Sequence, residues 1–210
     1  MNLDSISALS IVFPTIVGLF SLGKLNNRAL RTLSALIFFT AIMEVTGSIF
    51  AAYGWNNMPY FHLFTYIEFA LIFLIYYSLL KDLWQRIVLI SVALFFGIFS
   101  IFNLLYLESI LEFNSNQRYV EGFIIMIMCV LFFLNLLRRA EFIKLETYPY
   151  FWLTSGFLTY FAGTLIVFYL VKRLEDDSAD FYWGVHGILN ILLNVCYAMT
   201  LWMGRRVSIA

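Results

Sequence analysis

The chain has 210 residues, of which 62% are hydrophobic, 20% aromatic and only 12% charged, with a formal net charge of zero. Soluble domains sit nearer half apolar and a quarter charged, and a soluble core of this size could not absorb 23 phenylalanines while still covering its surface. A bilayer removes that limit, and the balanced charge points away from nucleic acid as a partner.

The chain opens with "MNLDSISALSIVFPTIVGLF". This stretch lacks a basic leader and a small-residue cleavage site, so it reads as a retained first helix and not as a removable signal peptide. Pro14 is expected to kink it, a break that membrane helices tolerate when neighbours satisfy the freed carbonyl.

A helix needs about 20 apolar residues to cross the hydrocarbon layer. Seven runs qualify: 5–22, 31–53, 60–80, 85–106, 119–138, 149–171 and 184–204. Between them lie "GKLNNR", "YGWNNMP", "KDLWQR", "ESILEFNSNQR", "RRAEFIKLETYP" and "KRLEDDSAD". Open sheet edges are too costly in lipid, and the runs are continuous where a β-barrel would alternate. The expectation is an all-α integral membrane protein, one seven-helix domain over residues 1–210, without a soluble domain or an internal repeat.

Charge sets the expected orientation. With the N-terminus outside, the inner loops and tail hold Lys24, Arg28, Arg31, Lys81, Arg86, Arg138, Arg139, Lys144, Arg205 and Arg206. The outer segments hold only Arg118, Lys172 and Arg173, together with Asp4, Glu108, Glu112, Glu175, Asp176, Asp177 and Asp180. That bias follows the positive-inside rule and predicts a cytoplasmic C-terminus in a cell's inner membrane. Trp55, Trp84, Trp152, Trp183 and Trp202 all fall near run ends, as an interfacial belt requires.

Polar residues inside the runs are the candidate site, because each is costly in lipid and turns toward the bundle or a cavity. Glu44 in the second run and Glu68 in the third share a depth of roughly 12–14 Å below the outer surface. Two carboxyls at one depth without a buried Lys or Arg are costly, so at least one is expected to be protonated, and they point to a functional pair. Nearer the outer mouth lie His62 and Tyr66, then Arg118 and Glu121 as an ion pair close to the headgroups, and His186. In the last run His186, Asn190, Asn194 and Tyr197 fall within an arc of about 80° and form one stripe. Asparagines so placed either line a cavity or bond helices together. In the sixth run Ser155, Thr159 and Gly163, with Gly156 beside them, suit close helix approach. Cys129 and Cys196 sit in apolar runs with neither metal nor disulfide spacing.

The leading reading is a sensory or interaction module whose outer-half cavity takes a small amphiphilic or cationic ligand. Its basic inner face would meet a cytoplasmic or membrane signalling partner or anionic lipid. An alternative is zinc-dependent lipid hydrolysis, with His62, His186, Glu44 and Glu68 as ligands and Glu121 as a further candidate. Seven-helix zinc hydrolases such as the alkaline ceramidases and the adiponectin-receptor group use three histidines, two of them paired on the last helix. Here His186 stands alone, with Asn190 in the partner's place, so no cofactor is favoured. Proton- or ion-coupled transport is a third reading, without the repeat or broken-helix pair that would support it. No lysine lies within the last run, which argues against a retinal protein.

The stretches "FWLTSGFLTYFAGTLIVF" and "HGILNILLNVCYAMTLW" resemble small bacterial seven-helix membrane proteins of unknown function. Those proteins are similar to the membrane sensor modules of receptor histidine kinases. The resemblance implies signalling through a separate partner, since the sequence holds no kinase or output domain, and it carries over no catalytic residue. A green fluorescent protein fused to the C-terminus is expected to fluoresce, and alkaline phosphatase fused there to stay inactive; active phosphatase would reverse the orientation.

Overall fold

A computed structural model of the chain describes residues 3–138, 144–171 and 179–205. The charges at Arg139, Lys172, Arg173, Glu175, Asp176, Asp177 and Arg206, with the side chains of Asp4 and Asp180, lie outside the described residues. The helices are α1 (Leu3–Ser10), α2 (Val12–Ser21), α3 (Arg28–Ala52), α4 (Met58–Leu79), α5 (Leu83–Tyr106), α6 (Ser115–Arg138), α7 (Pro149–Val171) and α8 (Ala179–Gly204). Among the described residues, seven stretches are long and apolar enough to cross a membrane, with α1 and α2 together forming the first. The chain is an all-α, multi-pass membrane protein. Large apolar side chains such as Ile42, Val45, Leu94 and Ile98 are exposed around it, as a lipid solvent allows.

The first span is interrupted where expected. Pro14 has no N–H for the Ser10 carbonyl, and the helix breaks at Ile11, whose backbone stays in the helical region. The Ser10 hydroxyl turns back to the Ser7 carbonyl at 2.6 Å, and the Thr15 hydroxyl donates to the Ile11 carbonyl at 2.7 Å.

The α3–α4 turn depends on Gly54 at φ 67°. Its N–H donates to Ala51 and that of Trp55 to Phe50, a Schellman ending that needs a left-handed residue. Helix α6 starts at Ser115, four residues ahead of the expected position. Glu108 explains the difference: its Oε1 accepts from the Ser115 hydroxyl at 2.6 Å and from the Asn116 N–H at 2.8 Å. A carboxylate there satisfies donors that a helix start leaves open and suits its positive dipole end. Arg118 is therefore helical, within the first turn of α6.

Helices α3, α4, α6, α7 and α8 form a ring, each packed on the next, with α8 returning to α3. Helix α5 lies outside against α4 and α6, and α1 and α2 run along α8. The ring has two ends. The N-terminal face is where α1, α4, α6 and α8 begin; the opposite face is where α3, α5 and α7 begin. Tyr76, in the last turn of α4, closes the ring near the opposite face. It is fully buried, its hydroxyl lies 3.2 Å from Cys129 Sγ and donates to Thr154 Oγ1 at 3.3 Å, and its ring meets Phe132 and Phe157. One side chain thereby joins α4, α6 and α7.

The small residues of α7 divide their work. Gly156 and Gly163 face α8, and a Cβ on Gly156 would sit 2.7 Å from the Cβ of Cys196. Thr159 is exposed, so the stripe through it is not the packing face. Gly156→Ala is expected to cost about 1–3 kcal/mol of bundle stability through overpacking, read by unfolding in a detergent mixture. Gly97→Ala, whose Cβ would meet nothing within 4 Å, should cause no loss.

Candidate functional site

The ring is closed near the opposite face by Tyr76 and open toward the N-terminal face. There it encloses a cavity of about 540 Å³ walled by all five ring helices. Helix α3 contributes Thr40, Glu44 and Ser48; α4 contributes Phe61, Phe64 and Glu68; Arg118 comes from α6. From α7 come Tyr160, Thr164 and Phe168, and from α8 Trp183, His186, Asn190, Asn194 and Tyr197.

The charged centre of the wall is Arg118. Its Nη1 donates to Glu68 Oε2 at 2.5 Å and to Glu121 Oε2 at 3.0 Å. The guanidinium carbon lies 5.1 Å from the centre of the Phe64 ring, a favourable cation–π placement. Glu121 is fully buried, and its second oxygen, Oε1, has no hydrogen-bond partner among the described residues. This corrects two expectations. Glu68 does have a basic partner, and the Arg118–Glu121 pair is not a headgroup contact but part of a buried triad. The long arginine stem carries the charge from the first turn of α6 down to the level of Glu68.

Glu44 stands opposite. Its carboxyl is half-buried in the same cavity and takes no hydrogen bond or ion pair among the described residues. The shared depth of Glu44 and Glu68 thus becomes a shared cavity, with one carboxylate paired and the other open.

The stripe on α8 does both things expected of it. The Asn190 amide donates to the Ser7 hydroxyl at 3.0 Å and to the Ser7 carbonyl at 3.3 Å, and Asn194 donates to the Ser10 hydroxyl at 2.7 Å. Both hold α1 against α8 while they line the cavity. His186 Nε2 lies 3.3 Å from the Tyr160 hydroxyl, and its ring touches those of Phe168 and Trp183. Tyr197 is buried edge-on against Phe157 at the cavity floor.

Three candidates fall elsewhere. His62 Nε2 pairs with the Glu112 carbonyl at 3.1 Å, so its ring serves the α5–α6 connection. Tyr66 meets Phe96 of α5. Glu121 sits behind Arg118 and not on the cavity wall. The zinc set His62, His186, Glu44 and Glu68 is consequently not assembled. No group of three or more His, Cys, Asp or Glu with metal-holding geometry occurs among the described residues.

Sequence reasoning missed Tyr160, Thr164, Phe168 and Trp183. The first three recur at four-residue steps, a signal that was present beside the small-residue stripe. Asn114 was missed too; its amide donates to Thr65 Oγ1 at 2.7 Å while its buried Oδ1 is left without a partner.

No protein-family model, curated protein or solved structure matches the chain. Geometry alone carries the chemistry. One guanidinium answers two carboxylates, a third carboxyl is unpartnered, and aromatic faces surround the space. Arg118→Met should destabilise the bundle by about 3–5 kcal/mol, because it strands two buried acids. Glu121→Gln should cost less, about 1–3 kcal/mol, since the Glu68 contact survives. Equal losses in a detergent-unfolding series would contradict the triad's arrangement.

Proposed function

We propose that the protein is a membrane sensory module whose cavity binds a small cationic amphiphile and reports occupancy to a separate protein partner. The open Glu44 carboxyl carries the ligand class. Glu44, Glu68 and Glu121 set three carboxyl groups against the single cation of Arg118. The Glu44 carboxyl, without a basic partner on the wall, would pair with an added cation, whereas an anion would meet repulsion.

The rest of the wall supports the same choice. Phe61, Phe161, Phe168 and Trp183 offer aromatic faces, which attract cations as well as alkyl groups. Asn190, Asn194 and Tyr197 add polar atoms on one side, so the space suits an amphiphile over a bare ion. A volume of about 540 Å³ is of small-molecule size.

The sensory role rests on topology and on the resemblance of the last two spans to small bacterial seven-helix proteins that are similar to the membrane sensor modules of receptor histidine kinases. The charge bias orients the cavity outward and the basic end toward the cytoplasm of a bacterial inner membrane. A partner there would read the packing of α3 and α4, which reach from the cavity to the basic end.

The test uses the chain in nanodiscs of neutral lipid with octyltrimethylammonium as probe. Trp183 in the cavity supplies a fluorescence signal. Saturable quenching is expected, weakened at least about tenfold by Glu44→Gln, a loss of about 1.4 kcal/mol. Glu146→Gln, an exposed acid at the opposite face, should leave binding unchanged. A wild-type chain without saturable response, or equal binding by Glu44→Gln, would overturn the assignment.

A further inference from the structure

A second recess, of about 400 Å³, lies at the opposite face where α3 begins, α4 ends and α5 begins. Its wall holds Arg28, Lys81 and Arg86, with Asn26, Asn27 and Ser78 as polar neighbours and Leu74 and Tyr77 below them. No acid lines it, and none of the three cations forms an ion pair among the described residues. Asp82, the acid next to Lys81 in the chain, lies off the wall at the start of α5.

The bias of a membrane protein toward basic loops on one side explains why cations occur at this face. It does not require three of them, from the start of α3, the α4–α5 connection and the first turn of α5, to converge on one concave space. Like charges so gathered repel unless an anion joins them. Arg86 is also held in place: its Nε donates to the Leu80 carbonyl at 3.3 Å, and its guanidinium carbon lies 5.0 Å from the Tyr77 ring centre. The remaining guanidinium donors suit an oxyanion, and the guanidinium fork matches phosphate oxygens in particular.

We propose that this recess binds a phosphate group, and that the group is the head of an anionic phospholipid. The apolar continuation of the wall selects the lipid. Leu74 and Tyr77 extend it along α4 into the span, and Leu74 is 38% exposed to the belt where acyl chains lie. A phosphate at the three cations therefore places glycerol and chains along α4. This site is separate from the cavity at the other end and does not depend on what fills that cavity.

The full chain, delipidated in a neutral maltoside detergent, is tested by native mass spectrometry with dioctanoyl phosphatidylglycerol. The triple substitution Arg28→Gln, Lys81→Gln, Arg86→Gln is expected to weaken binding by about a hundredfold, several-fold for each cation lost. Arg138→Gln with Arg205→Gln removes two cations from the same face outside the recess and should leave binding within about threefold. Retained monodispersity and a retained cooperative unfolding transition in a detergent mixture show that the triple variant is folded. Dioctanoyl phosphatidylcholine should bind at least about tenfold more weakly, having no net charge. Competition by inorganic phosphate or glycerol 3-phosphate at comparable concentration would keep the phosphate site but make its occupant a soluble phosphate, overturning the lipid assignment. Equal binding by wild type and triple variant, or no preference for the anionic lipid together with no competition by phosphate, would overturn the site itself.

Discussion

A single buried guanidinium organises the half of the bundle that contains the cavity. Arg118 is shared between Glu68 of α4 and Glu121 of its own helix, through one nitrogen. In a low-dielectric interior such a contact is strong and its loss is costly, so it fixes how α6 is rotated and set against α4. The influence spreads through Phe64, which lies under the guanidinium and stacks on Phe39 of α3 at 5.7 Å. Three ring helices are thus tied to one charge. Glu44, on the facing wall, forms no ion pair with it.

The two halves of the ring are built on different physics. Around Tyr76 the interior is closely packed and aromatic, with a phenol bonded to Cys129 and Thr154 and rings packed on either side. Close approach there relies on Gly156 and on the lack of any large polar group in α7 at that depth. Toward the N-terminal face polar side chains replace close packing, and each needs a partner or space for water. Asn190 and Asn194 find serines on α1; His186 finds Tyr160. The cavity persists because these bonds occupy the helices' edges without filling the centre.

The spans, the Pro14 break and the common level of Glu44 and Glu68 were legible in the sequence, because hydropathy, a missing N–H and a fixed rise per residue need no tertiary information. Direction on α4 was also legible but went unused. At about 100° per residue, Phe61 and Phe64 fall within about 40° of Glu68, whereas His62 is about 120° away and Tyr66 about 160°. Depth alone placed His62 and Tyr66 in the site; angle removes both. Arg118 was less accessible. Its Cα belongs to the mouth of the bundle, and only the length of its stem and the early start of α6, set by Glu108, bring its charge to Glu68. The double duty of Asn190 and Asn194 needed the fold, since nothing in α8 itself says that Ser7 and Ser10 lie beside them.

The two recesses differ in charge and lie at opposite ends, yet they share walls. Only α3 and α4 line both: Glu44 and Glu68 at one end, Arg28 and Tyr77 at the other. Beside the second recess α4 is pinned by Tyr76 to α6 and α7, while α3 makes its main contacts with α4 and the flanking α2. A ligand shifts a protein only to the extent that it binds one arrangement better than another. Under the sensory reading, the cavity occupant must therefore act on the seat of α3 against α4, the boundary that separates the open Glu44 from the paired Glu68. That boundary ends beside Arg28 and Lys81, where a change in helix seating becomes a change in the spacing of cations. An anionic headgroup held there would weigh on the same equilibrium from the other end, so cavity ligand and lipid would be coupled through one helix pair and each would alter the affinity for the other.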